Sequence, residues 1–249
     1  MSLLIAALLL PILGTALGAG GVFIKGIEFT RSKPYLLSLS AGIMLASSFW
    51  SLLIPAFEEV ITHGVYGMVS PLVGVWTGVV FILAVEKITS KKMSLCNSKA
   101  TSFMTAVTIH NIPEGIAVGI AVAGAFAEGE IVTSGAALSL AVGIALQNIP
   151  EGAVISMPLF YSGKSKPKAF FYGILSGISE PIFAFVALFC SGILSSLLPL
   201  FLGFAAGAMI YVTVCNLLQD VYESTENITL SGIVFFIGFT IMTVADKLI

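Results

Sequence analysis

The chain has 249 residues, of which 57% are hydrophobic and only 10% charged, with a formal net charge of −2 and a mean hydropathy of +1.06. Soluble domains spend about a quarter of their residues on Asp, Glu, Lys and Arg, so the composition excludes a water-soluble globular protein. It carries no basic stripe interleaved with aromatics, which leaves no basis for a nucleic-acid partner.

A membrane-spanning helix takes about 20 mostly apolar residues. On that measure the chain divides into eight spans, at roughly 3–24, 36–57, 67–86, 101–125, 131–158, 169–191, 196–218 and 229–248. The runs are continuous and too long for alternating strands, which selects an all-α polytopic membrane protein over a β-barrel. Connections are short, so residues 1–249 read as a single transmembrane domain. The first stretch, Ser2 to Gly20, lacks the positively charged start of a secretory signal and is taken as span 1. The three cysteines, Cys96, Cys190 and Cys215, have no CxxC spacing and indicate neither a disulfide framework nor a thiolate zinc site.

Basic residues set the orientation. Lys25, Arg31 and Lys33 follow span 1; Lys87, Lys91, Lys92 and Lys99 follow span 3; Lys164, Lys166 and Lys168 follow span 5. All of these fall on one side of an eight-span bundle, and Lys247 alone falls on the other. The positive-inside rule makes the crowded side cytoplasmic and predicts both termini outside. The connection between spans 7 and 8 is acidic, with Asp220, Glu223 and Glu226.

Spans 4 and 5 carry the feature that composition does not explain. His110-Asn111-Ile112-Pro113-Glu114-Gly115 is matched, at the same depth of the next span, by Gln147-Asn148-Ile149-Pro150-Glu151-Gly152. Residues i and i+4 share a helix face, so His110 lies with Glu114 and Gln147 with Glu151, with Asn111 and Asn148 beside them. A third acid, Glu180, lies mid-way along span 6 and is followed by Pro181. A carboxylate at bilayer depth costs several kcal/mol and needs a partner. The membrane interior supplies three glutamates, one histidine and no Lys or Arg, so a divalent cation, protons, or both must neutralise them. Imidazole, carboxylate and amide oxygens without thiolate suit Zn²⁺, Fe²⁺, Mn²⁺ or Cd²⁺ and fit Cu⁺ poorly. Pro113, Pro150 and Pro181 free the carbonyls of Ile109, Leu146 and Gly177, and the spans are expected to break there, as helices do around transporter sites.

Weak repetition appears elsewhere. Ala41-Gly42-Ile43-Met44 in span 2 is echoed by Ala206-Gly207-Ala208-Met209 in span 7, and Glu58 and Glu223 follow the two methionines at equal distance. The two spans run in opposite directions, as an inverted repeat requires; chance in small-residue helices is the other reading. Glu58, Glu59 and His63 are either a cation-gathering mouth or a solvated helix end. Asp220, Glu223 and Glu226 either receive the ion or form a wet loop. Met44, Ser47, Ser48 and Ser51 either line a path or pack helices, and Cys215 is either a soft ligand or a packing residue.

The paired HNIPEG and QNIPEG stretches resemble the fourth- and fifth-helix signatures of the ZIP (Zrt/Irt-like) divalent metal transporters, in particular the bacterial GufA-type branch. The resemblance extends through Ala41–Glu59, Glu180 and Ala205–Tyr211. It implies an inverted-repeat (3+2+3) bundle and uptake of divalent metal across the cell membrane into the cytoplasm, with no catalytic cofactor. It also implies a binuclear centre: His110, Glu114, Gln147 and Glu151 hold one metal, and Asn111, Asn148 and Glu180 hold the second, with Glu114 and Glu151 bridging. Motion of helices 1, 4, 5 and 6 against 2, 3, 7 and 8, and a homodimer, are further implications. Three departures stand out: Asn148 replaces an Asp found in some relatives, the segment between spans 3 and 4 has no histidines, and Cys215-Asn216 replaces an often acidic pair.

The rival classes are a divalent-cation channel or exporter, since ligands do not reveal direction, and an intramembrane metallohydrolase. The last requires HExxH with the Glu as general base. Here Asn111 follows the histidine and Glu114 stands where the second histidine belongs, so an enzyme is not expected. No GxxxxGK[ST] phosphate loop is present, and transport is not driven directly by nucleotide hydrolysis.

Overall fold

A computed structural model describes the backbone of residues 2–24, 29–60, 64–93, 99–126, 132–191 and 197–248, and the side chains of 5–24, 31–58, 60, 68–88, 111–126, 132–191 and 197–248. The described residues are helical almost throughout, without strands. Span 1 is Ser2–Ala19 with a 3₁₀ turn Gly20–Phe23, and span 2 joins Phe29–Ser47, a π-helical segment Ser48–Leu53 and Ile54–Val60. Spans 3, 4 and 5 are single helices, Gly64–Met93, Lys99–Gly124 and Ser134–Tyr161. Span 6 comprises Lys166–Gly177 and Ser179–Ser191, span 7 Leu198–Val212, a π-helical Thr213–Leu217 and Leu218–Ser224, and span 8 Ile228–Leu248. Seven are long and apolar enough to cross a membrane; the eighth, span 4, is a continuous helix whose described side chains form the apolar stretch Asn111–Gly124. The chain is a multi-pass membrane protein.

Local chemistry sets the ends. Span 5 starts where Thr133 Oγ1 accepts the Ala136 amide at 3.0 Å, an N-cap that satisfies one free N–H of the first turn. It stops at Gly163, whose φ of 96° is a left-handed conformation that glycine adopts without cost. Span 6 then opens on Pro167 in its first turn, where a missing N–H is harmless. Asn227 Oδ1 caps span 8 by accepting the Leu230 amide at 3.0 Å.

The spans form two four-helix bundles, one of 1, 4, 5 and 6, the other of 2, 3, 7 and 8. The closest pairings are 1 with 5, 4 with 6, 3 with 7 and 2 with 8. Exchanging 1 with 6, 2 with 7, 3 with 8 and 4 with 5 turns each pairing into another, which is a three-plus-two-plus-three inverted repeat. The echo between spans 2 and 7 is therefore structural. The register that carries Met44 onto Met209 places the two π-helical segments on each other. It also superposes their opening hydrogen bonds: Ser48 Oγ donates to Met44 O at 2.7 Å and Thr213 Oγ1 to Met209 O at 2.8 Å. In the same register Ser51, which donates to Asp246 Oδ1 at 2.8 Å, matches Asn216, whose Nδ2 donates to Glu86 Oε1 at 2.7 Å.

One expectation is corrected here. Pro113 and Pro150 lie inside unbroken helices, and of the three motif-linked prolines only Pro181 sits beside an interruption, at Ile178. Packing on both sides holds spans 4 and 5 helical through the lost hydrogen bond, as membrane helices tolerate.

Candidate metal centre

Span 4 meets span 6 closely because Gly115 has no side chain: a methyl there would strike the Glu180 backbone. Its counterpart Gly152 lets span 5 rest on the backbone of Thr15 in span 1. These approaches bring the motif residues of spans 4 and 5 to Glu180, which lies in the first turn of Ser179–Ser191, where an acid is favoured by the free amides and the helix dipole.

Neutral donors hold all three carboxylates. Glu180 Oε1 accepts from Asn111 Nδ2 at 2.7 Å and Oε2 from Asn148 Nδ2 at 2.6 Å. Glu114 Oε1 accepts from Gln147 Nε2 at 2.7 Å, and Glu151 Oε1 accepts from Ser40 Oγ at 2.8 Å. The amide nitrogens are anchored symmetrically: Asn111 Nδ2 also reaches Ser176 O at 3.2 Å, and Asn148 Nδ2 reaches Pro11 O at 3.0 Å. Ser176 and Pro11 are mates in the inverted repeat. Glu114, Glu180 and Glu151 are all buried, at 0%, 2% and 8% exposure.

Buried oxygens without partners cluster in the paired motif. Among the described residues, Asn111 Oδ1, Glu114 Oε2, Gln147 Oε1 and Asn148 Oδ1 are buried and accept no hydrogen bond. Such atoms cost about 1–3 kcal/mol each when left unmade, and four belong to the paired motif. Each is an acceptor, and among the described residues no Lys or Arg side chain is bonded to them. An oxygen set of this kind, with two or more carboxylates, fits a divalent cation. Among the described residues no three His, Cys, Asp or Glu side chains already converge on one point. The amides of Asn111, Gln147 and Asn148 bond these carboxylates, so the polar groups gathered here are carboxylate and amide.

Six sequence-selected residues thus lie in two buried hydrogen-bonded groups: Asn111 and Asn148 on Glu180, and Gln147 on Glu114, with Ser40 touching both Gln147 and Glu151. The backbone of His110 is in span 4 one turn before Glu114; its side chain lies outside those described, as do Glu59 and the whole of His63. Glu58 is exposed, and Glu223 holds Gln219 at 2.8 Å on the surface. Ser47 and Ser48 bond back to Met44 O, which assigns their hydroxyls to the helix. Cys215 is exposed, so burial does not account for it. Sequence reasoning missed Ser40, Glu86 and Asp246; acids at the ends of spans 3 and 8 were visible, but nothing marked Ser40 among ordinary membrane serines.

A family model described as ZIP zinc transporter matches residues 91–246. The chain belongs to the ZIP family. It is 31% identical to the zinc transporter GufA of Myxococcus xanthus, over 97% of both chains. It is 29% identical to the zinc transporter ZIP11 of Xenopus tropicalis, over 93% of each. Identity to the zinc transporter ZupT of Chlorobium phaeovibrioides is 31%, over 94% of this chain and 95% of that one. These ZIP relatives are named as transporters and not as enzymes, in keeping with the failed HExxH pattern.

Proposed function

We propose that this ZIP protein carries Zn²⁺-like divalent cations into the cytoplasm through a centre between spans 4, 5 and 6. Its cargo ligands are His110, Asn111, Glu114, Gln147, Asn148, Glu151 and Glu180. The four orphaned oxygens beside three buried carboxylates carry this reading. A cation entering the network satisfies acceptors that protein donors leave open, and two carboxylates balance its charge. The amide oxygens of Asn111, Gln147 and Asn148 are already without partners and are offered to the cation while the amide nitrogens steady Glu180 and Glu114. The third carboxylate then takes a proton or helps hold a second cation.

The distribution of Lys and Arg supports a frame with both termini outside, and the family supports placement in the cell membrane as a homodimer. The division into two bundles, with every ligand on spans 4, 5 and 6, supports transport by movement of spans 1, 4, 5 and 6 against the rest. The test is ⁶⁵Zn uptake into proteoliposomes by the wild type, Glu114→Ala and Glu151→Ala. Loss of uptake in both variants is expected, and wild-type uptake in both would sink the reading. Preferential loading from the cytoplasmic face would favour an exporter.

A further inference from the structure

Span 2 belongs to the bundle that carries none of the proposed ligands, yet Ser40 in it reaches across to the centre. Its hydroxyl lies 2.8 Å from Glu151 Oε1 and 3.3 Å from Gln147 O, and its side chain is fully buried. A hydroxyl has one proton to give, and the contact to Glu151 is the shorter of the two. Several hydroxyls of the two π-containing spans stay within their own helix. Ser38, Ser48 and Thr213 each bond back to the carbonyl four residues earlier, the usual resting place for a hydroxyl inside a helix. Ser40 makes its bonds outward.

The inverted repeat isolates what this contact adds. In the register that aligns Met44 with Met209, Ser40 falls on Ala205, and Glu151 falls on Glu114 through the motif. Ala205 is buried and has no hydroxyl, and Glu114 Oε2 is left without a partner. Glu151 therefore receives from the opposite bundle a donor that its twin lacks.

We propose that Ser40 is a positioning residue for the metal centre: it fixes the carboxylate of Glu151 from the opposite bundle, so that the geometry of this ligand depends on how the two bundles are set against each other. The inference rests on Glu151 being a cargo ligand. Outer partners that orient a ligand typically govern metal affinity by about 10–100-fold, and that is the range expected for loss of the hydroxyl.

The test is Cd²⁺ binding by calorimetry to the full-length protein in nanodiscs, for Ser40→Ala, Ser40→Thr, Glu151→Gln and the Ser40→Ala/Glu151→Gln pair. Ser38→Ala, which removes a back-bonded hydroxyl from the same span, is the control for folding. Expected are a Kd raised about tenfold or more by Ser40→Ala, recovery in Ser40→Thr, and wild-type binding in Ser38→Ala. In the Glu151→Gln background, Ser40→Ala should add little, because two residues acting through one contact are not additive. Wild-type affinity in Ser40→Ala, or additive losses in the pair, would overturn the role of Ser40. Wild-type affinity in Glu151→Gln would instead overturn the proposed centre, so the two failures are separable.

Discussion

Thr15 in span 1 and Glu180 in span 6 are equivalent positions of the inverted repeat, and they have opposite chemistry. Each is the backbone on which a motif glycine rests, Gly152 on Thr15 and Gly115 on Glu180. Thr15 turns its hydroxyl back to Pro11 O at 3.3 Å, whereas Glu180 stretches between Asn111 and Asn148. The scaffold is two-fold and the polar cluster it holds is one-sided.

Replacement of Glu180 tests that relationship. Glu180→Ala leaves the Asn111 and Asn148 side chains each short of an acceptor in a buried setting, which costs about 1–3 kcal/mol per donor. Thermal unfolding in detergent without metal should show a clear fall in Tm for Glu180→Ala and a smaller one for Thr15→Ala. Equal falls would mean that the two positions do the same structural work.

Asn148 offers a test of charge. Its Nδ2 donates to Glu180 Oε2 and to Pro11 O, so Asn148→Asp removes a donor and sets two carboxylates against each other. Without metal the variant should unfold at lower temperature. With Cd²⁺ its stabilisation should exceed that of the wild type, because binding to the folded state alone raises apparent stability, and a second Cd²⁺ should bind more tightly. Equal stoichiometry and affinity in calorimetry would count against a second cation site at this position.

The fold was legible because lipid demands length: eight apolar runs of sufficient span leave few alternatives to eight helices. The acids Glu114, Glu151 and Glu180 were legible for the complementary reason, since an ionisable group at that depth requires an explanation. Ser40 was not, because a serine in a membrane helix ordinarily bonds to its own backbone and the sequence does not say which one turns outward. The continuity of spans 4 and 5 through Pro113 and Pro150 was also hidden, because neighbouring helices, and not the local sequence, decide whether a proline breaks a packed span.

Close packing at the motif glycines predicts a graded response. Gly115→Ala puts a methyl against the Glu180 backbone, and Gly152→Ala does the same against Thr15; overpacking of this kind costs about 1–3 kcal/mol. Gly232 in span 8 has nothing within 4 Å of the corresponding position, so Gly232→Ala should hold or raise stability by roughly 0.5–1 kcal/mol. Denaturation of the three variants side by side checks the order, and weaker Cd²⁺ binding should accompany the first two only.

Proton competition follows from the ligand set. Carboxylates bind metal in the deprotonated form, so a proton held by a coordinating glutamate before binding must leave when the cation enters. Acidification should therefore weaken Cd²⁺ binding and slow ⁶⁵Zn uptake at fixed metal concentration, and alkalinisation should restore both. Calorimetry in two buffers of different ionisation enthalpy reads the released protons directly: at acid pH the apparent binding heats should differ between buffers. Glu151→Gln removes one titrating ligand and should narrow that difference. Identical heats in both buffers across the acid range would show that the carboxylates are already ionised before the cation arrives.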